Sequence, residues 1–172
     1  MIVRALWLNG TVGVGKTTVG AEVANQLATA GDPVAFVDID ALGDLSPRPP
    51  DDPFNTRLVA KNLEALTKNF STAGARTLVV AGVIETEENL RLYESAVGAP
   101  ITLIRLVVPL PQIQLRLRRR HGELDPGGLR WHSERAAVLA ACLDVSGLPM
   151  IAVANSGHPE GTARAAIAAA GF

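Results

Sequence analysis

The sequence predicts an α/β fold of three layers, α/β/α, with a five-stranded parallel sheet in the middle and a helical lid. Two observations carry this. Apolar runs of strand length alternate with segments of helical periodicity along the whole chain. Strands separated by helices pair in parallel through right-handed crossovers, and such a sheet needs helical cover on both faces. Composition agrees: 172 residues with 48% hydrophobic and 19% charged suit one compact domain over 1–172 and exclude a disordered chain.

Residues 3–8 form a short buried strand, 9–17 a glycine-rich turn, and 18–30 a helix with Val19, Val23 and Leu27 on one face. Gly31, Asp32 and Pro33 stop that helix, and 34–39 is a second strand that ends among acids, with Asp38 and Asp40. Alternation along an extended strand places these two carboxylates on the same face. The segment 41–53 is too rich in proline for a regular element and too long for a plain connector, the signature of a functional loop. A helix over 54–73 carries Val59, Leu63, Leu66 and Phe70 as one stripe. Then come a strand over 77–84, a helix over 87–96 and a strand over 101–108. Pro109 and Pro111 open the next helix, where proline is tolerated in the first turn, and its inner face is marked by Leu110, Ile113 and Leu117. It finishes in Arg116, Arg118, Arg119, Arg120 and His121. After a turn at 125–128, a helix over 129–143 runs with Trp131, Arg135, Val138 and Cys142 along one stripe. A fifth strand over 150–154 and a helix over 162–170 close the chain.

Several function classes are excluded by bulk properties. No apolar run approaches the roughly 18 residues of a membrane-spanning helix. A formal charge of -1 removes the broad cationic field that sequence-independent nucleic-acid binding uses. The lone Cys142 forms no internal disulfide, and Met1 is followed almost at once by a strand, which leaves no room for a signal peptide. The expectation is a cytoplasmic protein, monomer or homodimer, without a membrane or nucleic-acid partner.

The strongest single signal is Gly10, Thr11, Val12, Gly13, Val14, Gly15, Lys16, Thr17, which reads G-x-x-x-x-G-K-T between a predicted strand and a predicted helix. Glycines let the backbone curl so that successive N–H groups point at phosphate oxygens, and the helix adds the positive end of its dipole. Lys16 supplies a point charge for the outer phosphates of ATP. Thr17, with Thr18 beside it, offers a hydroxyl to Mg2+, which prefers oxygen ligands. A dinucleotide fingerprint is excluded, because Gly13 and Gly15 are followed by Thr18 where a third glycine belongs.

This phosphate-binding loop (P-loop), the strand ending Val37-Asp38-Ile39-Asp40 and the later arginine-rich helix followed by a second helix resemble the small P-loop kinases. Gluconate kinase, adenylylsulfate kinase, shikimate kinase and chloramphenicol phosphotransferase belong to that group. The segments 6–17, 52–82 and 129–143 are similar to actinobacterial-type ATP-binding proteins of the adenylylsulfate-kinase-like group, a likeness that brings no substrate. The resemblance implies a P-loop NTPase fold and transfer of the ATP γ-phosphate to a hydroxyl of a small molecule. It makes Asp40 the carboxylate that accepts the acceptor proton or helps hold Mg2+, with Asp38 beside the substrate; either acid would equally serve to cap the turn that follows. It makes 116–135 a lid whose arginines fold over the phosphates, with Arg120, Arg130 and Arg135 as the candidates and a solvated basic helix end as the alternative. It places the adenine beside Asn155, Ser156, Gly157, His158 and Pro159. It draws the acceptor pocket from 41–62, where Arg57 and Asn62 either present polar groups to hydroxyls or merely face solvent.

One departure from many P-loop NTPases is that the strand over 77–84 has no terminal Asp, having Gly82 near that position and Glu85 just beyond, so Asp40 or Glu85 takes the metal role. The competing reading is a regulatory ATP-binding module or NTPase with no acceptor. A GTPase switch is disfavoured, since Thr67-Lys68-Asn69-Phe70 lacks the Asp that reads guanine. Few cations precede Lys61 apart from Arg48 and Arg57, which favours an acceptor of modest charge such as a nucleoside, sugar or antibiotic.

Overall fold

The computed structural model describes residues 1–122, 124–155 and 157–172. Its elements are β1 (Arg4–Asn9), α1 (Lys16–Thr29), β2 (Val34–Asp38), a 3-10 turn (Ile39–Gly43), α2 (Thr56–Thr72), β3 (Thr77–Ala81), α3 (Glu87–Val97), β4 (Ile101–Val107), α4 (Leu110–His121), α5 (Pro126–Val145), β5 (Met150–Ala154) and α6 (Pro159–Ala170). The five strands form one parallel sheet in the order β2-β3-β1-β4-β5. This is the α/β/α architecture expected from the alternation of strands and helices. Among the described residues, no helix is long and apolar enough to cross a membrane.

The sheet separates two apolar clusters because its strands alternate side chains between faces. Ala5 and Trp7 of β1, with Leu78 and Val80 of β3, meet Leu63 of α2 and Leu90 and Tyr93 of α3 on one face. Leu6 and Leu8, with Val79 and Ile104, meet Val19 and Val23 of α1 and Ala163 and Ala166 of α6 on the other. Trp7 is fully buried and stacks on Tyr93 at 4.9 Å between ring centroids.

Strand order fixes where a ligand can enter. From β1 the chain builds outward to β3 and β2 on one side and to β4 and β5 on the other, so a crevice opens above the carboxyl end of β1. Asn9 stands at that end with no solvent exposure. Its Oδ1 accepts from Gly10 N at 2.8 Å and Ile84 N at 3.2 Å, and its Nδ2 donates to Ile84 O at 2.9 Å. One amide thus ties the start of the glycine-rich loop to the chain leaving β3.

Three local expectations are corrected. β2 stops at Asp38, and Asp40 lies in the 3-10 turn, so the two acids do not share a strand face. The turn forms because Ile39 is drawn into the core and the Asp38 carboxylate accepts from Asp40 N at 3.0 Å, capping it. Helix α5 buries Ala136, Leu139 and Leu143, while Trp131, Val138 and Cys142 are exposed. Alanines and other apolar residues surround much of that helix, so periodicity alone does not single out a buried face. In α4 the buried residues are Ile113 and Leu117; Leu110, at the first position, is exposed.

Asn9→Ala would leave two N–H groups and one carbonyl unpaired in the interior. Stability is expected to fall by about 2–4 kcal/mol, read from urea unfolding with an unchanged m value. A loss below about 0.5 kcal/mol, the range of neutral surface changes, would show that these bonds do not hold the loop to the sheet.

Candidate functional site

The loop between β1 and α1 is set by glycines at positions where a side chain has no room. Gly10 has φ 136°, and a Cβ there would stand 2.8 Å from Leu106 O. Gly15 has φ 101°, and its Cβ would meet Asn155 Nδ2 at 2.7 Å. Both are left-handed conformations that residues with a side chain seldom adopt. Gly15 is also the N-cap of α1 and makes no side-chain cap, and the first turn holds no acidic residue. The first N–H groups of this helix therefore face the cleft as an anion site.

Lys16 Nζ donates to Gly10 O at 3.0 Å and Thr11 O at 3.1 Å, lying across the loop. Burial lowers the Lys16 pKa from its ordinary value, and the nearby carboxylates of Asp40 and Asp38 oppose that shift. Thr17 Oγ1 donates to Asp38 Oδ2 at 2.6 Å. Asp38 therefore sits behind the threonine hydroxyl, and it is Asp40 that lines the cleft. A hydroxyl whose proton is held by a carboxylate turns its lone pairs outward, and the donors here are all oxygen. That set fits a hard divalent cation.

The back of the loop is braced by separate elements. Thr11 Oγ1 donates to Ala136 O of α5 at 2.6 Å. Asn155, just after β5, donates from Nδ2 to Val14 O at 2.7 Å and accepts at Oδ1 from Thr162 Oγ1 of α6 at 3.0 Å. Arg116 of α4 donates to Val14 O at 3.0 Å and Asn155 O at 2.8 Å. Thr11 and Val14 are accordingly buried behind the loop.

A cleft of about 830 Å³ extends from this loop. Of the residues singled out in the sequence, Val12, Gly13, Gly15, Lys16, Thr17, Thr18, Asp40, Arg120, Arg135 and Asn155 line it, with Gly157 and Pro159. Ser156, also expected here, and Glu123, within 116–135, lie outside the described residues.

Asp38 and His158 do not line the cleft, and three further expected residues are not brought in. Arg130 is exposed and does not line the cleft; five residues later on α5 it is Arg135 that does. Arg57 is exposed and pairs with Asp51 at 2.6 Å and Asp52 at 3.6 Å. Asn62 Nδ2 donates to Leu42 O at 2.8 Å, holding the 3-10 turn against α2. The helical repeat explains Arg57, which follows Thr56 by about 100° and is turned from the cleft that Thr56 and Val59 face, while Asn62 is taken up by the Leu42 carbonyl.

The far part of the cleft holds residues that sequence reasoning did not assemble. Arg135 forms an ion pair with Glu85, and its guanidinium lies 5.0 Å from the centroid of the Phe54 ring. Trp131, one helical turn before Arg135, lines the same wall, and Asn89 and Tyr93 of α3 close the side. Burial, then the Asp52 charge, pushes the Tyr93 hydroxyl up to about 12. The signal for Glu85 was present as an acid just past β3, and Trp131 and Arg135 stood four residues apart; Phe54, Asn89 and Tyr93 carried none.

No protein-family model matches the chain, and no curated protein is similar to it at the level of sequence. Solved structures are similar in fold. A gluconokinase from Sinorhizobium meliloti superposes with a TM-score of 0.64 at 20% identity, covering 98% of this chain and 91% of its own. The tunicamycin resistance protein of Deinococcus radiodurans gives 0.67 at 20% identity, covering 99% and 96%. The APS kinase of Mycobacterium tuberculosis, solved with AMPPNP and APS, gives 0.59 at 18% identity, covering 99% of each chain. The chain has the α/β fold of the small P-loop kinases.

Asn155→Ala is expected to remove the side-chain acceptor of the Thr162 hydroxyl, to leave the Val14 carbonyl with Arg116 alone, and to lower stability by about 1–3 kcal/mol. Thermal or urea unfolding of the ligand-free protein measures this, and an unchanged midpoint would show that the brace contributes nothing.

Proposed function

We propose that this protein is an ATP-dependent phosphotransferase that moves the γ-phosphoryl group to a hydroxyl of a small molecule. The observation that carries this is one cleft whose lining runs from the phosphate loop to side chains well beyond it. One end is the bare α1 N-terminus with Lys16 and the Thr17–Asp38 pair, and beyond Asp40 the lining continues to Phe54, Tyr93, Glu85 and Arg135. A nucleotide module without an acceptor has no use for that far part. The kinase-like fold of the structural neighbours supports the same reading.

In this reading the loop N–H groups and Lys16 cradle the β- and γ-phosphates, so Lys16 exchanges its carbonyl partners for phosphate oxygens. Thr17 would hold Mg2+, which when bound neutralises charge on the phosphates, and Asp38 fixes the threonine rotamer. Arg120 faces the same space and adds positive charge where the transferring group becomes more anionic. The acceptor enters from the far part of the cleft, opposite the adenine beside Asn155. Its oxygen forms the new bond to phosphorus as the bond from phosphorus to the ADP oxygen breaks. Asp40, exposed on the cleft, takes the hydroxyl proton. The segment 116–135 works as a lid, with Arg120 and Arg135 as its inward-facing arginines.

Lys16→Ala should abolish transfer, by on the order of 10²-fold or more, while leaving the far-UV circular dichroism unchanged, because this side chain lies on the loop and not in the core. ATP-dependent thermal stabilisation should fall with it; turnover like that of the parent protein would overturn the assignment. Asp40→Asn should reduce turnover by about 10²–10⁴-fold at nearly constant ATP affinity. Weakened MgATP binding instead would make Asp40 a metal-site residue and remove it as the base. Chelation with EDTA should stop ADP formation and excess Mg2+ restore it, whereas metal-independent turnover would contradict the role given to Thr17.

A further inference from the structure

We infer that the acceptor is an uncharged alcohol built on a flat ring, held by Phe54 and Trp131 and read through its hydroxyl groups by the Glu85–Arg135 pair. This rests on the phosphotransferase reading and names its substrate class.

Charge is the first argument. On the acceptor side the cleft presents two carboxylates, Asp40 and Glu85, against two guanidinium groups, Arg48 and Arg135. Arg135 is already paired with Glu85. Arg48 is exposed at the rim and spends a donor on Pro53 O at 3.1 Å. Lys16, on the carbonyls of Gly10 and Thr11, and Arg120 add their charge to the cleft at the phosphate loop. On the acceptor side the two guanidinium charges only balance the two carboxylates, so no surplus cation awaits an acidic acceptor, whose charge is costly to bring out of water. A neutral acceptor meets no such cost.

Exposed aromatic surface is the second. Phe54 is 51% exposed and Trp131 53% exposed, although both line the cleft. They come from separate elements, the loop before α2 and the start of α5. The Arg135 guanidinium lies over the Phe54 ring, and Trp131 precedes Arg135 by one helical turn, so the three form a row along one side of the cleft. Half-exposed aromatic rings in a concave site are suited to cover by a flat apolar partner. The ion pair beside them offers both a donor and an acceptor. That combination matches adjacent hydroxyl groups, each of which can donate to Glu85 and accept from Arg135.

The test uses matched pairs on the intact protein saturated with Mg2+ and AMP-PNP. Uridine is compared with orotidine, its carboxylated analogue, and para-nitrophenyl glucoside with para-nitrophenyl glucuronide; glucose controls for the ring. Calorimetry reads binding, and ADP release with MgATP reads transfer. The expected result is that at least one neutral ring compound binds about tenfold or more tighter than its acidic partner and than glucose. Phe54→Ala and Trp131→Ala, both surface-exposed positions that the fold does not need, should each weaken it by about tenfold. AMP-PNP affinity should stay constant, and Phe54→Tyr should restore binding. The inference is overturned if the acidic partners or glucose bind as well, if neither alanine variant changes the affinity, or if no neutral ring compound binds. A ring compound that binds in this pattern yet receives no phosphate supports the inference about the site and sinks the transferase reading, while transfer to the acids alone does the opposite.

Discussion

The structure depends on keeping the peptide N–H groups of the loop after β1 turned inward on open space. Aligned backbone dipoles and the Lys16 ammonium concentrate positive potential there, and within the loop Lys16 ties down the carbonyls of Gly10 and Thr11. The other braces come from outside. Asn9 fixes the entry of the loop to the chain after β3, Thr11 hangs its middle on α5, and Asn155 and Arg116 together hold the Val14 carbonyl from β5 and α4. Most of these braces turn carbonyls and side chains to the back of the loop, which leaves the N–H groups on the front. Strand order makes this possible, because only above β1 do the chain ends of β3, β4 and β5 converge on one loop.

A second consequence is the separation of charge along the cleft. Lys16, Arg116 and Arg120 stand around the phosphate-binding loop, whereas farther along the cleft Arg48 and Arg135 are matched in number by Asp40 and Glu85. Asp38 and Asp40 lie at the boundary and face different ways. Asp38 turns back to Thr17 and caps the 3-10 turn, and Asp40 turns to the open cleft. Two acids two residues apart therefore hold different positions, one behind the Thr17 hydroxyl and one on the cleft. Had β2 continued through Asp40, both carboxylates would have pointed to the same side.

The glycine-rich motif and the alternation of strands and helices were legible in the sequence because both are local: contiguous residues carry their whole physical meaning. The 3-10 turn was not, since it forms when Ile39 finds the core that α2 and β3 build, and those lie far along the chain. The inward face of α5 was hidden by its alanines, which leave helical periodicity without contrast. Arg57 and Asn62 looked available as polar groups on a substrate-facing helix, yet the rotation of α2 is set by Val59 and Leu63 in the core. The far wall of the cleft was least legible of all. Phe54, Glu85, Tyr93 and Trp131 sit in four separate segments with no common spacing, and only the doubly wound topology brings them to one cleft.

The central claim is that phosphate passes to an alcohol and not to water. Phosphorus NMR of the protein with MgATP and a neutral hydroxylated ring compound tests it directly, because a phosphate monoester and inorganic phosphate give separate resonances. The account predicts a monoester signal that grows in step with ADP and disappears when the acceptor is omitted. Inorganic phosphate as the sole product, at the same rate with and without acceptor, would contradict it.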